Sequence, residues 1–167
     1  PFRRAVAQTA LERLIEDGRI HPARIEEVVA KTRADLEEGL EAIGESAAFE
    51  LGITGLPPRL TRLLGRLRYR TVSGYNLLRH SVAVARLAQQ MAVLLGARGE
   101  VALRAGLLHE MGQVEEGNGA GVHPILIAAD LATKFGEDVK VTQAIRALHQ
   151  GGSEPSIEAA LLKGAGR

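Results

Sequence analysis

The stretch Arg104-Ala-Gly-Leu-Leu-His109-Glu110-Met111-Gly112-Gln113 decides how this sequence is read. It is an apolar helical run ending in an adjacent imidazole and carboxylate, two of the few side chains that can bind a metal or move a proton. Upstream, His80 rides on a second apolar stretch. There Leu77, Leu78, Val82, Ala85, Leu87, Met91 and Leu94 recur at helical spacing between Ser73 and Leu95, bounded by Gly74 and Gly96. Two helix-borne histidines, one with a carboxylate beside it, make a metal site the first expectation.

Composition agrees with a helical frame. The 167 residues are 46% hydrophobic and 25% charged, enough for one core of good size with an appended segment. Only 3% are aromatic, no alternating β-branched run occurs, and Ala, Leu, Glu and Arg abound, so the expected fold class is all-α. With no cysteine, disulfides and thiolate metal sites are excluded, and any metal must use imidazoles and carboxylates. No apolar run approaches the roughly 20 residues that cross a bilayer. A sequence opening on Pro1 is expected to be a piece of a longer protein.

Toward the N-terminus, residues 3–17 form an amphipathic helix with Val6, Ala10, Leu14 and Ile15 on one side and Gly18 as its stop. Pro22 starts a long second helix, because its missing N–H costs nothing at a first helical position. Its apolar pattern of Ile25, Val28, Val29, Leu36, Leu40 and Ile43 runs toward Leu51, with Gly52 as the end and Gly39 and Gly44 as places for a kink. After Leu56-Pro57-Pro58, the leucines 60, 63, 64 and 67 make the apolar side of a short Arg-rich helix. Beyond the central run, helices are expected at about 100–112, 124–135, 138–149 and 155–163, separated by Gly117-Asn-Gly-Ala-Gly121, Gly136 and Gly151-Gly152.

Charge is unevenly placed despite a formal net of +1. Between Leu51 and Gly99 there is no Asp or Glu, while Arg59, Arg62, Arg66, Arg68, Arg70, Arg79, Arg86 and Arg98 all fall there. Such a block can neutralise phosphates through forked guanidinium contacts. The alternative is a solvated basic face that pairs with acidic neighbours.

The chain has five histidines. His21, between Ile20 and Pro22, reads as structural. The other four, His80, His109, His123 and His149, lie on or near helices of the core and are the candidate ligands. Four neutral imidazoles suit a single Zn-like or Ni-like ion better than a hard two-metal centre, which wants carboxylate oxygens.

Three runs carry a family resemblance: Leu67-Arg-Tyr-Arg-Thr71, Asn76-Leu-Leu-Arg-His80-Ser-Val82, and Arg104 to His109. Together they resemble the HD domain of the bacterial ribonuclease Y family. Asp17-Gly-Arg-Ile-His-Pro-Ala-Arg-Ile-Glu-Glu-Val28 resembles the segment that joins that family's RNA-binding KH domain to its HD domain. The resemblance implies the last helix of a KH-like domain at 1–18, a linker helix at 19–55 and an HD-type helical bundle at 56–167. It also implies a metal-dependent endoribonuclease that starts messenger RNA decay by phosphodiester hydrolysis. Its cofactor would be a divalent Mn, Mg or Zn, its substrate single-stranded RNA, and its assembly a homodimer. Such a protein is cytoplasmic, held to the cytoplasmic face of the membrane by a segment this sequence does not contain.

Carried over residue by residue, the metal ligands are His80, His109, Glu110, His123 and His149, with Glu110 also the catalytic carboxylate. The RNA-binding set is Arg59, Arg62, Arg66, Arg68, Arg70 and Arg79. The chain also departs from the family's pattern. Glu110 stands for an Asp and reaches roughly 1.5 Å further; Gln113 stands for a Lys and Gly117 for a His. Pro124 follows His123 where the family has an acidic residue. Leu148-His149-Gln150 supplies one of two adjacent histidines, and Gly166 falls where the last carboxylate is expected. Two outcomes follow: an altered centre that still cleaves RNA, or a degenerate member that binds RNA or a partner without cutting. A nucleotide phosphohydrolase is a third reading, which the ribonuclease-like flanks disfavour.

Overall fold

The computed structural model describes residues 1–115, 121–149 and 156–166. Among these the all-α expectation holds: eight helices pack together, with one 3-10 turn at Met111–Gln113 and one minimal hairpin. The helices are α1 Phe2–Asp17, α2 Pro22–Glu50, α3 Pro58–Leu67, α4 Leu77–Leu94, α5 Gly99–Leu108, α6 Pro124–Lys134, α7 Val139–Ala147 and α8 Ile157–Ala165. No helix among the described residues is long and apolar enough to cross a membrane.

The N-terminal pair is set by its caps. Gly18 adopts φ 72, a left-handed conformation that ends α1, and His21 opens α2 by accepting the Arg24 amide at Nδ1, 3.3 Å away. His21 is therefore structural, as its sequence neighbours imply. Asp17 accepts from Arg24 Nε at 2.7 Å and from Arg19, which clamps the turn between the two helices. These guanidiniums, Arg19 first, hold the Asp17 carboxyl below its ordinary range. Ala10, Leu14 and Val28 form a small apolar cluster of their own, while Ile15 points outward at 66% exposure instead of joining the buried side.

Helix α2 runs unbroken through Gly39 and Gly44. Gly44 rests against the Thr61 carbonyl of α3, and Gly65 of α3 rests against the Leu40 carbonyl of α2. A Cβ at either glycine would collide with backbone, so this reciprocal contact sets how closely the helices cross. Leu60, Leu63, Leu64 and Leu67 of α3 are completely buried, as their spacing predicts.

The central helix begins later than Ser73. Ser73 and Gly74 both have positive φ, at 50 and 86, and form a two-residue turn between β1 Thr71–Val72 and β2 Tyr75–Asn76. Asn76 then caps α4 by accepting the Arg79 amide. The core face of α4 is Leu77, Ser81, Val84, Ala85, Ala88 and Ala92; Leu87 and Leu94 face solvent. Small residues win that face because α5 lies against it. A Cβ on Gly106 of α5 would come 2.5 Å from the Ala85 Cα of α4.

Candidate metal centre and basic face

Nearly every residue of α5 from Val101 to Leu108 is buried, so the end of this helix is drawn into the core and carries its cap residue, His109, with it. His109 retains 6% exposure. Because Gly106 lets α5 settle onto Ala85, the turn of α4 that bears His80 comes opposite His109, with ring centroids 5.9 Å apart. Glu110 follows directly, its Oε1 3.5 Å from His109 Nε2. One ligand atom from each of His80, His109 and Glu110 lies within 4.8 Å of the other two.

The protonation state of His109 follows from its surroundings. Burial, the strongest influence, pushes its imidazole below the usual value; the Glu110 charge and the Gly106 carbonyl pull the other way, and His80 adds to the lowering. The neutral ring donates from Nδ1 to the Gly106 carbonyl at 2.8 Å. That fixes the tautomer and leaves the Nε2 lone pair facing the Glu110 carboxylate. Two lone-pair bearers turned toward each other in a buried place repel unless a cation lies between them. Donors about 2.1 Å from a tetrahedral ion stand roughly 3.4 Å apart, close to the gap observed here. A carbonyl engaged by the second ring nitrogen is also the usual support of a metal-binding histidine. The set therefore fits a divalent ion.

His123 and His149 are not in this set. Their rings face each other, centroids 4.5 Å apart, and both are exposed. His123 caps α6 by accepting the Ile125 amide at Nδ1 over 3.3 Å. In the neutral ring the proton then sits on Nε2, so no lone pair points outward. The same α6 start is held against the 3-10 turn by Gly112, where a Cβ would strike the Pro124 carbonyl. Gly166 caps α8 without a side chain, and Leu148 is half-buried at the end of α7. Gly117 lies outside the described residues.

The arginines of the acid-free window separate into two kinds. Arg59 bonds both oxygens of Glu115 at 2.9 Å, Arg62 pairs with Glu41 at 3.0 Å, and Arg66 lies over the Phe2 ring at 6.0 Å. No ion pair joins Arg68, Arg70 or Arg79 to a carboxylate among the described residues. Arg70 reaches the Gln113 Oε1 at 3.5 Å, and its buried Nε has no hydrogen-bond partner among the described residues. Arg70 thus places a cation beside Gln113. Arg68 and Arg79 line an open groove of ≈ 640 Å³ between α2 and α4, together with Ala42, Ile43, Val82 and Arg86, the last paired with Glu50 of the groove at 2.8 Å.

Two features escape a reading of the sequence. Arg104 and Glu137 form a forked ion pair at 2.6 and 2.8 Å that ties α5 to the loop after α6; nothing in their separation foretells it. The exposed hairpin carrying Tyr75 is signalled by Ser73-Gly74 between Thr-Val and Tyr-Asn, a two-residue turn pattern that the helical periodicity of the following residues masks.

The HD domain family model matches residues 77–165. The chain is 50% identical over 165 residues to ribonuclease Y of Thermoanaerobacter pseudethanolicus, covering 99% of this chain and 32% of that protein. It is 51% identical over 166 residues to ribonuclease Y of Desulforudis audaxviator and 47% over 165 to that of Geobacter sulfurreducens, with the same coverage. The chain thus spans about a third of the length of the curated relatives it matches. No solved structure matches it. With more than half of its residues in the matched model and its His80–His109–Glu110 set inside that span, the chain belongs to the HD domain family, and along nearly its whole length it is similar to ribonuclease Y.

Proposed function

We propose that this chain is the hydrolytic part of a ribonuclease Y-like endoribonuclease that cleaves phosphodiester bonds in single-stranded RNA and so initiates messenger RNA decay. The observation that carries this reading is the 3.5 Å gap between His109 Nε2 and Glu110 Oε1, with His80 completing a three-donor set. His80, His109 and Glu110 would hold one divalent ion, Mn, Mg or Zn. When bound, such an ion polarises a phosphoryl oxygen and lowers the pKa of water. The Gly106 carbonyl keeps His109 in the tautomer whose Nε2 is free to bind, and the Glu110 carboxylate would take the proton of an attacking water. Arg70 and Arg79 steady the phosphates on either side, and the groove lined by Arg68 and Arg86 receives the rest of the strand. His123 and His149 would serve a second ion only after His123 gives up its cap.

The domain reading belongs with this proposal: residues 1–18 as the end of a KH-like domain, 19–55 as a linker helix and 56–167 as the HD domain. Homodimerisation, cytoplasmic residence and attachment to the membrane's cytoplasmic face through an upstream segment follow from the likeness to ribonuclease Y.

The test is internal cleavage of a 5′-monophosphorylated single-stranded RNA by the chain with added Mn²⁺. The expected result is cleavage that EDTA stops and that His109→Ala abolishes while its circular dichroism stays helical. A second reading is favoured by the engaged Nδ1 of His123 and the bare Gly166: a protein that binds RNA without cutting it. Tight, metal-independent RNA binding with no cleavage would establish that reading in place of the first.

A further inference from the structure

Beside the metal-binding set stands a structure that the core does not need. Both strands of the Thr71–Asn76 hairpin are largely exposed, so it buries little apolar area. It is nevertheless firmly held. Leu77 donates its amide to the Arg70 carbonyl at 3.0 Å, closing the base of the hairpin. The Asn76 side chain donates to the Arg68 carbonyl at 2.6 Å and accepts the Arg79 amide at 3.2 Å. One side chain thus fastens the hairpin to the end of α3 and to the start of α4.

What this rigid arm displays is Tyr75, which is 67% exposed. Its ring centroid lies 6.4 Å from that of His80, within the roughly 4.5–7 Å of rings in contact. Aromatic side chains are scarce here, three Phe and two Tyr in the whole chain. The other tyrosine, Tyr69, is packed edge-on against Phe2. An exposed ring on a braced arm beside His80 joins a flat apolar face to a chain segment whose Arg70 and Arg79, at the two ends of the hairpin, pair with no carboxylate among the described residues. That combination recognises a nucleotide in a single strand: the ring stacks on the base and the guanidiniums take the neighbouring phosphates.

We infer that Tyr75 is a base-stacking platform that seats one nucleotide of a single-stranded RNA next to the His80–His109–Glu110 set, so that the phosphate adjoining that base enters the set. This rests on the RNA-cleaving reading above and adds the residue that positions the strand. Stacking accepts any base, because every base has a π face, so the platform selects for unpaired strand and against duplex. A base held in a helix offers no free face to Tyr75.

The chain contains no Trp, so Tyr75→Trp introduces a single reporter. The experiment titrates wild type, Tyr75→Ala, Tyr75→Phe and Tyr75→Trp with a fluorescein-labelled oligoadenylate of about ten nucleotides, a length suited to strand-binding surfaces. No divalent ion is added, so no strand is cut. Binding by Tyr75→Ala is expected to weaken about fivefold to a hundredfold, the equivalent of one lost stack, with Tyr75→Phe close to wild type. The indole emission of the Tyr75→Trp variant is expected to be quenched by unlabelled oligoadenylate and not by an abasic strand of equal length. Unchanged affinity in Tyr75→Ala, or quenching by both strands alike, overturns the platform while leaving RNA binding intact. Failure of the wild type to bind any strand overturns the RNA reading itself, and the platform with it.

Discussion

His109 Nε2 and Glu110 Oε1 face each other across 3.5 Å, while the Nδ1 of the same ring donates to the Gly106 carbonyl. A ring committed at one nitrogen and turned toward a carboxylate at the other is arranged for a cation between them. Glu110→Gln is therefore expected to lower Mn²⁺ affinity by at least about tenfold in a calorimetric titration. His123→Gln is expected to leave that affinity unchanged, since His123 caps α6 outside the set. Equal losses in the two variants would mean that the ion sits elsewhere.

Without metal, His109 links stability to pH. Burial lowers its folded pKa below the ordinary 6.5, so between the two values the unfolded chain binds the extra proton. Stability then rises with pH through this window; it is lost as pH falls through 6.5 and stops falling once the folded pKa is passed. Urea midpoints across roughly pH 5–8 should show this slope in the metal-free wild type and a flatter one in His109→Gln. A slope of opposite sign would show that His109 is held charged in the fold.

The forked Arg104–Glu137 pair is a structural counterpart to the site. Glu137 is 3% exposed at its side chain and Arg104 19%, so removing one partner leaves the other poorly solvated. Glu137→Gln is expected to cost about 3 kcal/mol, at the low end for a buried pair because water still reaches the guanidinium. In a chain of this size that is a fall of roughly 6–12 °C in Tm, readable by calorimetry.

Salt dependence should sort the arginines. Arg59 and Arg62 already pair with Glu115 and Glu41, whereas Arg68 and Arg79 do not meet a carboxylate among the described residues. The Arg68→Ala/Arg79→Ala double variant is expected to reduce the slope of log K against log salt for single-stranded RNA by about 1.4–2, and Arg59→Ala/Arg62→Ala by much less. Equal reductions would show that the acidic partners release Arg59 and Arg62 on binding.

Much of this architecture is visible in the residues themselves. Caps and apolar spacing place α1 and α2 within a residue or two, and the buried side of α3, because Gly18, Pro22 and the α3 leucines act through local backbone and burial rules. Tertiary contacts are less legible. The core face of α4 carries Ala85, Ala88 and Ala92 beside Leu77 and Val84, since the approach of Gly106 to Ala85 leaves room only for a small residue there; Gly44 marks the point where α2 crosses α3. The site divides in the same way. The closeness of His109 and Glu110 is in the chain order, and His80 joins them through the fit of α5 on α4. That His123 and His149 face each other instead depends on a cap that spacing alone does not distinguish from a ligand.

The central claim is that His80, His109 and Glu110 together bind the ion that the chemistry uses. Crystals of the chain grown with Mn²⁺ and measured for anomalous scattering test it most directly. The account predicts a peak bonded to one nitrogen each of His80 and His109 and to a Glu110 oxygen, absent in His109→Ala. Full manganese occupancy at His123 and His149 with nothing between His109 and Glu110, or no bound manganese at all, would contradict it.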